Sequence, residues 1–363
     1  MKMKNKTLKI ATAFSGIGAI EHALKRMKVK HDLIFACDND TFVKKSFFAN
    51  YDIKDSQWYD SVQEIDGKKF KGKVDLFVGG SPCQSFSMVG KRRGFEDARG
   101  TLFYDFARLI KEMQPKSFIF ENVKGLLSHD KGKTWEVIQN TFTELGYNFH
   151  SQVLNAKNYG IPQNRERLFV IGFKNKRDFE FPNPVDLKIT MNDLLEDHPD
   201  DKYYLKDKGI KFVTSKKNIS KKYTQINGKI ALCQKANQQF NWHGDFVFEP
   251  AGKVDEKYFL SEKVTNYVLS SGTKKFYSKP ETDLRVARPL LASMAKMHRA
   301  GVDNYITRSG KIRKLTPREC LRLMGFDDSF KITVSDTQMY KQAGNSIVVN
   351  VLMALLKQMG ITK

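Results

Sequence analysis

Five short apolar runs, four to seven residues long, punctuate the chain: Leu8–Phe14, Leu33–Cys37, Val74–Val78, Ser117–Phe120 and Leu168–Phe173. Segments with helical spacing lie between them. Leu102, Phe106, Leu109 and Ile110 share one face of a stretch from Thr101 to Met113, and a helix over Trp135–Leu145 closes on Gly146, a suitable helix-ending glycine. Strands that are buried on both faces read as continuous apolar runs, and their alternation with helices demands a mostly parallel sheet with helices on both sides. The expected fold class is α/β, with a Rossmann-like, mixed but mostly parallel sheet.

The rhythm stops after Phe181-Pro182-Asn183-Pro184. Between Lys202 and Lys235 there are ten lysines against one acid, Asp207, with Tyr203, Tyr204, Phe212 and Tyr223 interleaved. Helical spacing returns after Arg313, where Thr316-Pro317-Arg318-Glu319 sets proline at a helix start, and an apolar helix over Ser346–Met359 follows. Three segments result: an α/β domain over 1–181, a smaller irregular and strand-like domain over 182–300, and a return to the first over 301–363. With 363 residues the chain is long enough for one large or two ordinary domains.

Lys plus Arg number 62 against 40 Asp plus Glu, a surplus of 22 that favours a polyanionic partner. A lysine-rich proteome gives the same surplus, so charge speaks to partners and not to fold. Cys37, Cys83, Cys233 and Cys320 form no C-x-x-C pair, which suggests neither a disulfide framework nor a zinc site and points to a reducing cytosol. No apolar run approaches the ~20 residues a membrane span needs.

The strand ends carry the chemistry-bearing residues. Phe14-Ser15-Gly16-Ile17-Gly18 is a strand-to-helix turn whose glycines let a ligand approach the backbone, although such a pair is often only a tight turn. Asp38 ends the next strand, where an acid can bond ribose hydroxyls or simply make a turn. Gly79-Gly80-Ser81-Pro82-Cys83-Gln84 presents one thiol on a Gly-Pro loop; free cysteines are commonly buried filler, but this setting suits a nucleophile. Such a thiol needs a nearby positive field to ionise. Glu121, ending a neighbouring strand in Glu121-Asn122-Val123, is the candidate acid. Arg165 and Arg167 are candidates for the field, or a surface ion-pair cluster.

Together these residues resemble the bacterial DNA (cytosine-5-)-methyltransferases of restriction–modification systems, over about 1–180 and 311–363 and in that family's order. Phe14-Ser15-Gly16-Ile17-Gly18 resembles the cofactor loop and Pro82-Cys83-Gln84 the nucleophile motif. Gly90-Lys91-Arg92-Arg93-Gly94-Phe95-Glu96-Asp97 resembles the mobile catalytic loop. Glu121-Asn122-Val123, Gln163-Asn164-Arg165-Glu166-Arg167, Leu315-Thr316-Pro317-Arg318-Glu319-Cys320 and Gln342-Ala343-Gly344-Asn345-Ser346 match further signatures. Two positions depart from the pattern: Asp38 stands where the family often has Glu, and Leu290 where many members have Thr.

The resemblance implies S-adenosylmethionine as methyl donor, held by Phe14, Ser15, Gly16, Ile17, Gly18, Asp38, Asp60, Pro82, Leu102, Asn345 and Ser346. It implies catalysis by Cys83, Gln84, Glu121, Arg165 and Arg167, with Glu121 bearing a proton in a dry pocket. Ser87, Lys91, Arg92, Arg93 and Arg99 would meet DNA, residues 182–300 would recognise the target, and no metal is called for. Further expectations are double-stranded DNA as partner, a monomer without membrane attachment, a cytoplasmic, nucleoid-associated setting, and a cognate endonuclease that acts without direct binding. Three rivals remain: an RNA cytosine-5 methyltransferase, an inactive DNA-binding module of the same fold, and a Rossmann-type dehydrogenase. The incomplete glycine signature counts against the last.

Overall fold

All five expected strands form and lie in one sheet. The computed structural model describes residues 7–81, 102–197, 199–233, 242–249, 286–288, 299–308 and 311–363. In chain order the first elements are β1 (Leu8–Ala13), α1 (Ala19–Arg26), β2 (His31–Cys37), α2 (Thr41–Asn50), β3 (Trp58–Tyr59) and β4 (Leu76–Gly79). They are followed by α3 (Leu102–Met113), β5 (Ser117–Val123), α4 (Lys133–Glu144), β6 (Asn148–Asn155) and β7 (Glu166–Phe173). The sheet has seven strands in the order β3-β2-β1-β4-β5-β7-β6. β1 pairs in parallel with β2 and β4, β2 with β3, and β4 with β5, while β7 runs antiparallel to β5. The sheet is therefore mixed and mostly parallel.

Local chemistry accounts for these elements. Asp40 caps α2 by accepting from the Phe42 and Val43 amides. α3 buries Phe103, Phe106, Leu109, Ile110 and Met113 along one face. That face meets phenylalanines from the sheet: Phe106 stacks on Phe77 at 4.7 Å and packs against Phe120 at 5.3 Å. Gly146 follows α4 at φ 75°, the left-handed position that a helix-ending glycine fills readily. Phe14, read as the end of β1, lies instead beyond it in a left-handed turn.

The chain divides into two compact units. The first comprises Met1–Leu154, Glu166–Asn183 and Val351–Lys363, and the second Asn155–Arg165 and Pro184–Asn350. The second contains α5 (Asp207–Val213), α6 (Lys216–Ser220), β8 (Thr224–Ile226), β9 (Ile230–Leu232), β10 (Trp242–Glu249), β11 (Val286–Arg288), β12 (Arg299–Arg308) and β13 (Lys311–Lys314). α7 (Pro317–Leu323) and α8 (Asp336–Asn345) follow, and α9 (Val349–Gln358) returns to the first unit. Strands β8, β10, β12 and β13 close into a small barrel, and β9 pairs with β11. The strand-like expectation for this region omitted α5 and α6. Their buried Ile210, Val213 and Ile219 are separated by lysines that conceal the helical spacing. α7 begins as its sequence suggests: Thr316 accepts from the Glu319 amide, and the Glu319 carboxylate accepts from the Thr316 amide.

Candidate active site

Along the first unit's sheet, the carboxyl ends of β3, β2, β1, β4 and β5 succeed one another, and each carries a residue singled out from the sequence. Asp60 follows β3, Asp38 follows β2, Phe14–Gly18 follow β1, Gly80 and Ser81 follow β4, and Glu121 lies just past the β4–β5 pairing. Open α/β sheets gather ligands at this edge.

The turn after β1 is built from left-handed residues: Phe14 at φ 54°, Gly16 at φ 54° and Gly18 at φ 78°. A side chain at Gly18 would collide with the Tyr51 ring, 2.2 Å from its Cβ position. The Tyr51 hydroxyl lies 3.1 Å from the Ile17 carbonyl oxygen and 2.8 Å from that of Gly18, so it donates to that pair. A Cβ on Gly16, by contrast, would meet no atom of the described residues within 4 Å, a setting that suits the approach of a ligand. The Gly16 amide donates to Asp38 Oδ2 at 3.0 Å and the Asp40 amide to Asp38 Oδ1 at 3.1 Å. The short acid is thus locked to the turn. Asp60 is 68 % exposed, and its Oδ1 accepts from Trp58 Nε1 and Lys44 Nζ. Leu102 opens α3 and packs against the core.

Two consecutive glycines bring the chain out of β4. A Cβ at Gly79 would lie 2.6 Å from the Ala13 carbonyl oxygen, and one at Gly80 2.6 Å from that of Glu121 and 3.0 Å from Glu121 Oε2. Only glycine lets the loop leave so close to the acid. Asn122 adds a second tie, donating from Nδ2 to the Ser81 carbonyl at 2.9 Å. The Glu121 side chain is 14 % exposed, and its Oε1 pairs with Arg167 Nε at 3.2 Å. Pro82, Cys83, Gln84, Ser87, Lys91, Arg92, Arg93, Arg99 and Leu290 lie outside the described residues.

The remaining candidates belong to the second unit. Arg165 is buried, and its Nη2 donates to the carbonyls of Gly344 and Ser346, each at 2.9 Å. This places a cation at the carboxyl end of α8, whose last residue is Asn345, where helix polarity favours it. Arg165 and the 344–346 turn thus come together, as do Glu121 and Arg167 in the first unit. Gln163, two residues before Arg165, is buried and donates from Nε2 to the Leu323 carbonyl at 2.8 Å.

Sequence reading missed Tyr51 and Glu21. Tyr51 stands 33 residues beyond Gly18, and no local pattern links them. Glu21 is fully buried although it occupies the first turn of an amphipathic helix. Burial pushes its carboxyl up to about 7. At the end of β2, burial and then the neighbouring Asp38 push the Cys37 thiol up to about 12, which keeps it inert.

The family model "C-5 cytosine-specific DNA methylase" spans residues 8–361. The orphan methyltransferase M.SPRI of Bacillus phage SPR is 34% identical, over 97% of this chain and 97% of its own. The type II methyltransferase M.HhaI of Haemophilus parahaemolyticus is 32% identical, over 97% and 94%. M.HpaII of Haemophilus parainfluenzae, also a type II methyltransferase, is 35% identical, over 95% and 87%. Among solved structures, the Entamoeba histolytica methyltransferase EhMeth superposes with a TM-score of 0.68 over 98% of both chains, at 16% identity, a likeness of fold alone. With the family model and these relatives covering nearly its whole length, the chain belongs to the C-5 cytosine-specific DNA methylases.

Proposed function

We propose that the chain transfers a methyl group from S-adenosylmethionine to C5 of a cytosine swung out of duplex DNA, through a reversible adduct between Cys83 and C6 of the base. The observation that carries this reading is the bracing of Glu121 against Gly80 and of its neighbour Asn122 against Ser81, two residues before Cys83 in the sequence. A nucleophile and an acid tied to adjacent strand ends suit addition to an electron-poor ring.

C5 of cytosine is a weak nucleophile, and thiolate addition at C6 makes it enamine-like. Negative charge then gathers at N3. Glu121 stabilises it by donating a hydrogen bond there, and Arg165 binds the O2 carbonyl. Glu121 pairs with Arg167, so in this reading the arriving base displaces that ion pair and the carboxylate takes up a proton from solvent before it donates to the ring. Loss of the C5 proton and departure of the Cys83 sulfur complete the sequence. Gln84, next to Cys83 in the sequence, belongs to the catalytic set in this reading.

Phe14, Ser15, Gly16, Ile17, Gly18, Asp38, Asp60, Pro82, Leu102, Asn345 and Ser346 would hold S-adenosylmethionine, and the open side of Gly16 suits such a ligand. When bound, it supplies an electrophilic methyl group. Extracting the base from the stack costs a few kcal/mol. Closure of residues 84–100, with Gly90, Gly94 and Gly100 as hinges, would exclude water, while Ser87, Lys91, Arg92, Arg93 and Arg99 meet the DNA backbone. Residues 182–300 recognise the target sequence. In this reading the protein works as a monomer in the bacterial cytoplasm, on nucleoid DNA, beside an endonuclease it does not bind.

Cys83→Ser is expected to abolish methyl transfer and retain DNA binding. Turnover near the wild-type rate in that variant would end the covalent mechanism. Duplex DNA carrying 5-fluorocytosine should trap an adduct whose cross-linked peptide contains position 83. The same assay with tRNA separates the DNA reading from an RNA one.

A further inference from the structure

We propose that Glu21 is a positioning residue for the cofactor turn: in its protonated form it completes a hydrogen-bond relay through Thr12 and Ser15 that fastens the turn to the end of β2, and its ionisation reverses the relay and loosens that fastening. The proposal rests on the assignment of residues 14–18 and Asp38 to S-adenosylmethionine.

Counting protons gives the argument. Glu21 is 1 % exposed, and Oε1 lies 3.2 Å from Thr12 Oγ1 while Oε2 has no hydrogen-bond partner among the described residues. Thr12 Oγ1 lies 2.7 Å from Ser15 Oγ. Ser15 Oγ accepts from the Cys37 amide at 2.9 Å and donates to the Cys37 carbonyl at 3.1 Å. Each hydroxyl owns one proton. If Ser15 gives its proton to Cys37, its contact with Thr12 must be filled by the Thr12 proton. The Thr12–Glu21 contact is then a hydrogen bond only if the carboxyl supplies the proton. If Glu21 is ionised, Thr12 turns its proton to the carboxylate, Ser15 turns its own to Thr12, and the hydroxyl bond to the Cys37 carbonyl is lost. That bond sits where the turn meets the strand, one residue before Asp38, whose Oδ2 already accepts from Gly16. Ionisation therefore slackens the point that sets the acid against the turn.

The environment favours the protonated arrangement. Burial outweighs the hydrogen bonds that stabilise the anion, so the carboxyl titrates at about 7, within reach of ordinary conditions. Among the described residues, the titratable side chains that the bonds above and the chain order place beside the relay are Cys37 and Asp38 at the end of β2, Tyr51 beyond α2, and His22 on α1 itself. None of them is among the causes of the shift at Glu21.

The test is calorimetric binding of S-adenosylmethionine to the full-length protein at a series of pH values on either side of about 7, with folding checked by circular dichroism. Wild type should lose affinity several-fold as pH rises through that value. Glu21→Gln, whose amide group donates to Thr12 at every pH, should keep the tighter affinity with a flat profile. Glu21→Ala and Ser15→Ala, which cut the relay at opposite ends, should bind weakly and without pH dependence. In turnover the effect should appear in the KM for the methyl donor, with kcat little changed. A flat wild-type profile, or wild-type and Glu21→Gln profiles that fall together, would overturn the proposal. A folded wild-type protein that binds no S-adenosylmethionine at any pH would instead overturn the cofactor assignment beneath it.

Discussion

Between α3 and strands β4 and β5 of the first unit lies a stack of phenyl rings, whereas in the second unit β13 is fastened to α7 by a guanidinium and a carboxylate. Phe77, Phe103, Phe106, Phe118 and Phe120 all lie in one fully buried cluster. Arg313 and Glu319 are 1 % and 0 % exposed and form two parallel hydrogen bonds, each 2.9 Å. Glu319 also accepts from the backbone amides of Thr316 and Glu196. Apolar packing is non-directional and leaves the strand ends free for polar residues. A buried ion pair adds little net stability but tolerates only one geometry, so it holds a short strand in register with a helix. The first unit supports its site by bulk, the second by direction.

The largest effects should separate these two modes. Glu319→Ala leaves the Arg313 guanidinium buried without its carboxylate and should cost about 3–5 kcal/mol. Phe106→Ala should cost a similar ~3–5 kcal/mol through the cavity it leaves. Only the first loss should be recoverable. Arg313→Met combined with Glu319→Gln removes both charges and keeps an acceptor for one of the Thr316 and Glu196 amides, so part of the stability should return. Urea denaturation measures the totals, and hydrogen exchange locates each loss in its unit. A double variant as unstable as Glu319→Ala would show that the pair does more than neutralise itself.

This contrast also explains what could be read from the sequence. β1, β2, β4, β5 and β7 were legible because strands buried on both faces become unbroken apolar runs. β6 was not: it is an edge strand in which Asn148, His150, Ser151 and Gln152 reach the surface. That β7 runs antiparallel to β5 was equally hidden, since an apolar run carries no direction. In the second unit the strands β8, β9 and β11 have three residues each, too short for a period to register, and their partners are far away in sequence. The pair Arg313 and Glu319 looks like any two surface charges until the fold buries it. At the candidate site, glycines and acids at strand ends mark themselves in the sequence. Glu21 and Tyr51 act through contacts made only after folding.

Glu21 is an exception within the first unit, a buried carboxyl with no counter-ion among the described residues. Its carboxyl is raised from 4.5 in the unfolded chain to about 7 in the native protein. The native state therefore holds a proton that the unfolded state has released, and stability falls as pH rises between those two values. The full difference corresponds to about 3 kcal/mol. Glu21→Gln does not titrate, so its stability relative to wild type should increase by roughly that amount between about pH 4 and about pH 8. Parallel stability curves for the two proteins would place Glu21 in contact with water and return it to the rule of its unit.

The smallest effect bears on the turn itself. Tyr51 holds it in both ways at once: its ring fills the space beside Gly18, and its hydroxyl bonds the Ile17 and Gly18 carbonyls. Tyr51→Phe keeps the ring and removes the bonds. If direction matters at this end of the sheet, the variant should lose about 1 kcal/mol of affinity for the methyl donor, roughly fivefold in Kd, with its thermal midpoint nearly unchanged. Tyr51→Ala also removes the ring and should lower the midpoint as well. Equal affinity in Tyr51→Phe and wild type would mean that packing alone shapes the turn after β1, and that the first unit uses bulk even at its candidate site.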